Sequence, residues 1–389
     1  MALNTKQLLY LNVLMNADGL CRDGFGENVG ELARRLLPGA QGKERTILEN
    51  ILADDHLSGM AILHPACEAW GAGYCAFADG REELVVAFRG TTTGAEWYDN
   101  FIAANQADGA HQTAALQYLE GLELSDYDTV TVTGHSKGGN KAMYCAAVSG
   151  HVDRCVSFDG QGFSDAFMEK YAYRVAERWN RIENHCAGGD YINILLNGIG
   201  ERFYYQTYNP SGNFFLNHEL TAMCDDAGEM RPSAQEPEIG KLKEFMDAFF
   251  HSLSGERMEE VLDLLGRAFA LILKGDTATA GASDLLSLLT QSQHRRALTE
   301  ICAFFIRYER QSGGLTDAIR EIVDGSGLNV QLRGLADRFL DLLAWQAKNP
   351  LAIWGIASGI NALVENREWS ALLGAVSEAA WRSNQIRIR

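Results

Sequence analysis

Residues 129–138 read Thr129-Val130-Thr131-Val132-Thr133-Gly134-His135-Ser136-Lys137-Gly138. The first five alternate two β-branched residue types and are as strand-like as five residues can be. Gly134 to Gly138 then spell G-x-S-x-G, and Lys137 to Val148 is helix-length and rich in Ala. A strand that turns directly into a helix forces the residue at the turn into a strained backbone conformation. Its neighbours must then be nearly free of side chains, which Gly134 and Gly138 supply. Such a turn exposes the Ser136 hydroxyl beside a helix N-terminus, where the backbone N–H of Lys137 can stabilise a developing oxyanion. The pentapeptide alone is also compatible with a glycine-rich turn that carries no chemistry. Its strand-before, helix-after setting is what marks an activated serine.

Outward from this segment the pattern alternates. Gly73 to Phe77, the turn Ala78-Asp79-Gly80, and Leu84 to Phe88 read as strand, turn, strand. Arg154 to Phe158, Arg181 to His185 and Arg202 to Tyr208 are further strand candidates. Strands alternating with helices predict an α/β fold, a mostly parallel sheet with helices on its faces, and the G-x-S-x-G turn in that setting resembles the α/β-hydrolase type. Residues 1–55 read as an N-terminal helical segment, with apolar spacing at Leu8, Leu11 and Leu14 and again at Val29, Leu32 and Leu36. The core is expected over 56–225. Polar residues and two prolines make 226–237 a linker, and 238–389 reads as all-helical, with Ile239, Leu242, Phe245, Met246 and Phe249 at helical spacing.

Bulk properties narrow the function classes. The chain is 47% hydrophobic and 22% charged, enough to bury a sizeable core. A formal net charge of −17 disfavours nucleic acid and anionic membrane surfaces, which select for the opposite sign. No run reaches a membrane-spanning length; the closest, Leu351 to Val364, includes Ser358 and Asn361 and reads as a buried helix. None of the eight cysteines forms C-x-x-C. The single His64-Pro65-Ala66-Cys67 pair has no second pair to complete a zinc site, so neither a metal nor another cofactor is expected. Met1 to Leu20 lacks the features of a secretory signal, and the composition reads as a cytoplasmic bacterial protein in a reducing compartment.

An activated serine needs a histidine as general base and an acid to orient it, in the chain order Ser, acid, His for this fold. Downstream of Ser136 stand His151, His185, His218, His251 and His294. His218 follows the strand Arg202 to Tyr208 and the loop to Asn217, where a terminal-strand loop would deliver the base. His185 comes too early, and His251 and His294 fall in helices beyond the linker. For the acid, Asp190 follows the strand Arg181 to His185 through Cys-Ala-Gly-Gly, and Asp159 ends the strand before it. Asp190 is preferred, with Asp159 as the alternative.

The segments V-V-A-F-R-G-T-T (85–92), T-G-H-S-K-G-G-N-K-A (133–142) and V-S-F-D-G-Q-G-F (156–163), with the histidine loop, resemble a group of bacterial lipase-like α/β-hydrolases related to the class 3 lipases. The likeness covers about residues 70–225. It implies that Thr91, at the end of the R-G-T strand, gives a second oxyanion donor beside Lys137. It also implies a catalytic type: a serine hydrolase cleaving a small-molecule or lipid acyl ester through an acyl-enzyme. A non-catalytic scaffold that binds a protein through its helices and an acyltransferase with the same triad are the alternatives. The helical region is open to use as a lid, for partner binding or for homo-oligomerisation.

Overall fold

A computed structural model describes residues 2–17, 26–67, 73–90, 106–274, 287–289, 291–326 and 330–349. Thr91 and the segment Leu351 to Val364 lie outside the described residues. The chain forms two compact units. The first runs to Ser211 and resumes over Phe215–Glu236; the second takes 212–214 and the chain from Pro237.

The first unit is built on a seven-stranded sheet whose spatial order is its chain order. β1 (Ala61–Cys67), β2 (Gly73–Asp79) and β3 (Glu83–Phe88) pair antiparallel. β4 (Thr129–His135), β5 (Arg154–Phe158), β6 (Ile182–Ala187) and β7 (Glu201–Tyr205) continue from β3 in parallel, as expected for an α/β-hydrolase-like fold. The sequence reading misses β1. Pro65 cannot donate to a ladder and demotes the run, and the structure accommodates it at an edge, where the register shifts between Leu63 and Ala66. His64 and Cys67 belong to this edge strand.

Parallel strands laid down in sequence order have a consequence for their helices. Right-handed crossovers between successive neighbours all pass over the same face of the sheet. The helices between the parallel strands, α5 (Ala110–Glu120), α6 (Lys137–Val148) and α7 (Asp165–Arg178), share one hydrophobic cluster with Leu84, Val86, Phe88, Val130 and Val132. The opposite face, carrying Phe77, Val85, Ala87, Val156 and Phe158, needs another cover. The N-terminal helices supply it: α1 (Thr5–Asn16), α2 (Val29–Leu36), α3 (Gly42–Ala53) and α4 (Asp55–Gly59) join those residues in a second cluster. The period-2 alternation within β3 assigns Val85 and Ala87 to one cluster and Leu84, Val86 and Phe88 to the other.

α1 starts at a reciprocal cap: Asn4 Oδ1 accepts from the Gln7 N–H at 3.0 Å and Gln7 Oε1 from the Asn4 N–H at 3.0 Å. The helix is apolar on most sides and buried accordingly, with Leu8, Leu9, Leu11 and Leu14 fully enclosed. Asn12, fully buried, donates to Thr133 Oγ1 on β4 at 2.8 Å. Within the stretch expected as a linker, Gln206 N–H donates to Arg231 O at 2.9 Å and Ser233 N–H to Tyr204 O at 2.8 Å, so it runs hydrogen-bonded beside β7. Cys75, Cys145, Cys155, Cys186, Cys224 and Cys302 are free and buried. Cys67 is disulfide-bonded.

The second unit is helical, as its period predicts: α8 (Pro237–His251), α9 (Glu256–Lys274), α10 (Arg295–Ser312), α11 (Leu315–Asp324) and α12 (Val330–Lys348). Pro237 opens α8 at the position where a missing N–H costs nothing. Phe245 and Phe249 of α8 pack against Phe304 of α10 at ring-centroid distances of 5.6 and 5.2 Å. Among the described residues no helix is long and apolar enough to cross a membrane.

Candidate active site

β4 ends at His135 and α6 begins at Lys137, leaving one residue to make the turn. Ser136 makes it at φ 58°, ψ −123°, a region that costs a residue with a Cβ on the order of 1–3 kcal/mol. The turn is held from below, because the Ser136 N–H donates to Phe158 O at 2.9 Å. The flanking glycines are required by contact distances. A Cβ on Gly134 would stand 2.2 Å from the Gly138 carbonyl carbon, and one on Gly138 would stand 2.0 Å from Phe88 O. The G-x-S-x-G spacing is therefore a packing requirement between β3, β4 and the first turn of α6.

His218 ends a 3₁₀ turn, Phe214–His218, and its ring faces the serine. Nε2 lies 2.8 Å from Ser136 Oγ, and Nδ1 lies 2.8 Å from Asp190 Oδ1. A carboxylate only accepts, so Nδ1 carries the proton and Nε2 is left to accept from the Ser136 hydroxyl. Asp190 is fully buried in the turn after β6. Its other oxygen accepts the backbone N–H groups of Ile192 at 3.2 Å and Asn193 at 2.7 Å. The base and acid loops are also tied together, since Asn217 Nδ2 donates to Gly189 O at 3.1 Å. Ser136, His218 and Asp190 are thus brought into one hydrogen-bonded chain.

The alternative acid, Asp159, lies at the end of β5 with φ 46° and does not hydrogen-bond His218. Its Oδ1 accepts from the Ala187 N–H at 2.8 Å and from Asn193 Nδ2 at 2.9 Å. Burial, and next the Asp190 charge, holds its carboxyl well above the usual carboxylate range. His135 is a neighbour the sequence reading does not single out. Its Nε2–H donates to His218 O at 3.0 Å, and its ring lies 4.8 Å from the His218 ring, centroid to centroid. Burial, and next the neighbouring His218, keeps it neutral. Lys137 is the first residue of α6, so its N–H stands at the helix N-terminus beside Ser136.

Among the described residues, His135, Asp159 and His218 each place one ligand-type atom within 4.8 Å of the others. Both nitrogens of His218 are already committed to Ser136 and Asp190, and His135 Nε2 is committed to a carbonyl. A cation there would have to break the Ser–His–Asp chain, so the donor set as folded fits proton transfer better than metal binding.

Beside the array lies a cavity of about 1000 Å³ lined in part by Val13, Ala17, Leu36, Leu220 and Ala222. None of Ser136, His218 and Asp190 lies in its wall. Asn16, which accepts from the Gly90 N–H at 3.4 Å, forms part of its wall, and so does Glu219, next to His218 in the chain.

Comparison with known proteins adds a family likeness. Residues 69–206 match the family described as Mbeg1-like. The Extracellular phospholipase A1 of Serratia liquefaciens is 29% identical over 125 residues, which is 31% of this chain. The chain spans only 38% of that relative's length. Among solved structures, the M37 lipase is similar at 15% identity and a TM-score of 0.34, over 50% of this chain and 71% of that one. The family match includes Ser136 and Asp190 and stops short of His218.

Proposed function

We propose that this chain is a serine hydrolase that cleaves an acyl ester through an acyl-enzyme, with Ser136 as nucleophile, His218 as general base and acid, and Asp190 as the orienting acid. The observation that carries the reading is the unbroken hydrogen-bonded chain from Ser136 Oγ through both nitrogens of His218 to Asp190, with 2.8 Å at each link. His218 Nε2 takes the hydroxyl proton as Oγ attacks the carbonyl carbon, and Asp190 stabilises the imidazolium that forms. The tetrahedral oxyanion sits beside the first turn of α6, where the Lys137 N–H is the donor; each such donor contributes about 3 kcal/mol. His218 then returns the proton to the leaving alcohol, and water repeats the sequence to release the acid.

The likeness to a phospholipase A1 supports an ester, and a fatty acyl ester above other classes. The apolar part of the cavity wall, with Val13, Leu36 and Leu220, suits such a chain. Labelling with a fluorophosphonate, followed by mass mapping, tests the assignment. The expected result is one adduct, on Ser136, that is absent in Ser136→Ala. A folded wild-type protein without an adduct, or with one elsewhere, would refute it.

A further inference from the structure

Asp159 is an acidic group beside the site that the mechanism above does not use. It is fully buried, at a backbone conformation (φ 46°) that residues with a Cβ avoid. While Oδ1 accepts two N–H groups, Oδ2 is buried with no donor at all. Asp190 is held by the same neighbouring residue as this carboxyl: Asn193 gives its side-chain N–H to Asp159 and its backbone N–H to Asp190.

Two ionised carboxyls in this position would be doubly unfavourable. A buried oxygen would lack a partner, and two like charges would face each other out of water. A single proton on Asp159 Oδ2 removes both problems. The orphaned acceptor becomes a donor, and the carboxylate beside it becomes its acceptor. The other titratable groups around Asp159 do not compete for that role. Burial keeps His135 neutral and Cys186 as the thiol, and His218 is bonded to Ser136 and Asp190.

We propose that Asp159 is a positioning residue of this active site, a neutral carboxylic acid whose O–H donates to Asp190 and holds that carboxylate square to His218. The role rests on the triad reading above. The pair then presents one negative charge to the histidine, enough to balance the imidazolium formed during attack. The acid that orients the base is itself oriented from behind, by the neighbouring strand end.

The first test is spectroscopic. An infrared spectrum of the wild-type protein at neutral pH should contain the carbonyl stretch of a protonated carboxylic acid, and Asp159→Asn should remove it. No such band in the wild type overturns the proposal, whether or not any variant folds. The second test is kinetic, with p-nitrophenyl butyrate. Asp159→Ala should lower kcat on the order of 100-fold with little change in KM, the loss expected of a misaligned catalytic group. Asp159→Asn, which keeps a donor toward Asp190, should recover kcat to within about tenfold of wild type. Its acid limb in kcat/KM should stay where the wild type has it. An acid limb moved to lower pH in Asp159→Asn, or an Asn variant as slow as the Ala variant, overturns the proposal. A wild type that shows the band but neither labels nor turns over removes the hydrolase reading, and the positioning role with it.

Discussion

Replacing Asp190 by Asn tests the centre of the mechanism with almost no change of shape. Asp190 Oδ2 accepts two backbone N–H groups, from Ile192 and Asn193. The single amide oxygen of an asparagine has to stay on those donors, because turning its NH₂ toward them would leave both unsatisfied. The NH₂ is then directed at His218 Nδ1, 2.8 Å away in the native site. A donor there forces the His218 proton onto Nε2, which presents an N–H to Ser136 Oγ in place of a lone pair. The base is in position in the wrong tautomer. The loss expected is about 10⁴-fold in kcat, or about 5.5 kcal/mol of transition-state stabilisation. Both backbone bonds survive, so Tm should move by no more than a few degrees. Steady-state turnover of p-nitrophenyl butyrate, with circular dichroism melting on the same samples, measures both quantities. A folded variant that keeps kcat within about tenfold of wild type would refute the reasoning and reduce Asp190 to a loop anchor.

Gly138→Ala would place a Cβ 2.0 Å from Phe88 O, so α6 and β3 must part. The variant should lose about 1–3 kcal/mol of stability and on the order of 100-fold in kcat; wild-type melting and turnover would contradict the packing argument. Acid stability follows from His111. Burial, and next the charges of Lys137 and Lys141, pulls its pKa down from 6.5 to about 4. Between those values the unfolded chain binds the extra proton, so stability should fall as pH drops from 6.5 toward 4. His135 acts in the same direction, whereas the protonated Asp159 opposes it, because above its unfolded value of 3.8 the folded state holds more protons. His111→Gln should flatten the plot of urea midpoint against pH over that window, and superimposable slopes would count against the assignment.

The parts of this protein legible in its sequence are those where local chemistry and tertiary demand agree. Thr129 to Thr133 alternates β-branched residues and opens β4; the glycines around Ser136 mark a turn that any larger residue would obstruct. Residues 154–158 were readable to the residue as β5, since both flanks break the pattern. β1 was hidden by Pro65, a poor strand residue that an edge tolerates. The work of α1 to α4 could not be read either. Amphipathic spacing shows that a helix is buried, but which sheet face lacks cover depends on the path of every crossover. The acid stayed open between Asp159 and Asp190 for a similar reason. Both sit at the ends of neighbouring parallel strands, β5 and β6, and only the fold shows which of them meets His218. His135 and Asn193 carried no signal, because each acts through a backbone group of a residue distant in sequence or through a turn.

The strict strand order also sets a schedule. Each parallel strand is laid against the one made just before it, so the sheet can grow as the chain leaves the ribosome. The sharp turn with its serine is complete once β5 is in place. Asp190 arrives only with the turn after β6, and His218 82 residues after the serine, beyond β7. Until then Ser136 is an ordinary alcohol. On the proposed hydrolase reading, a nascent or prematurely terminated chain would hold Ser136 without the base that takes its proton, so errors of synthesis would leave inert fragments.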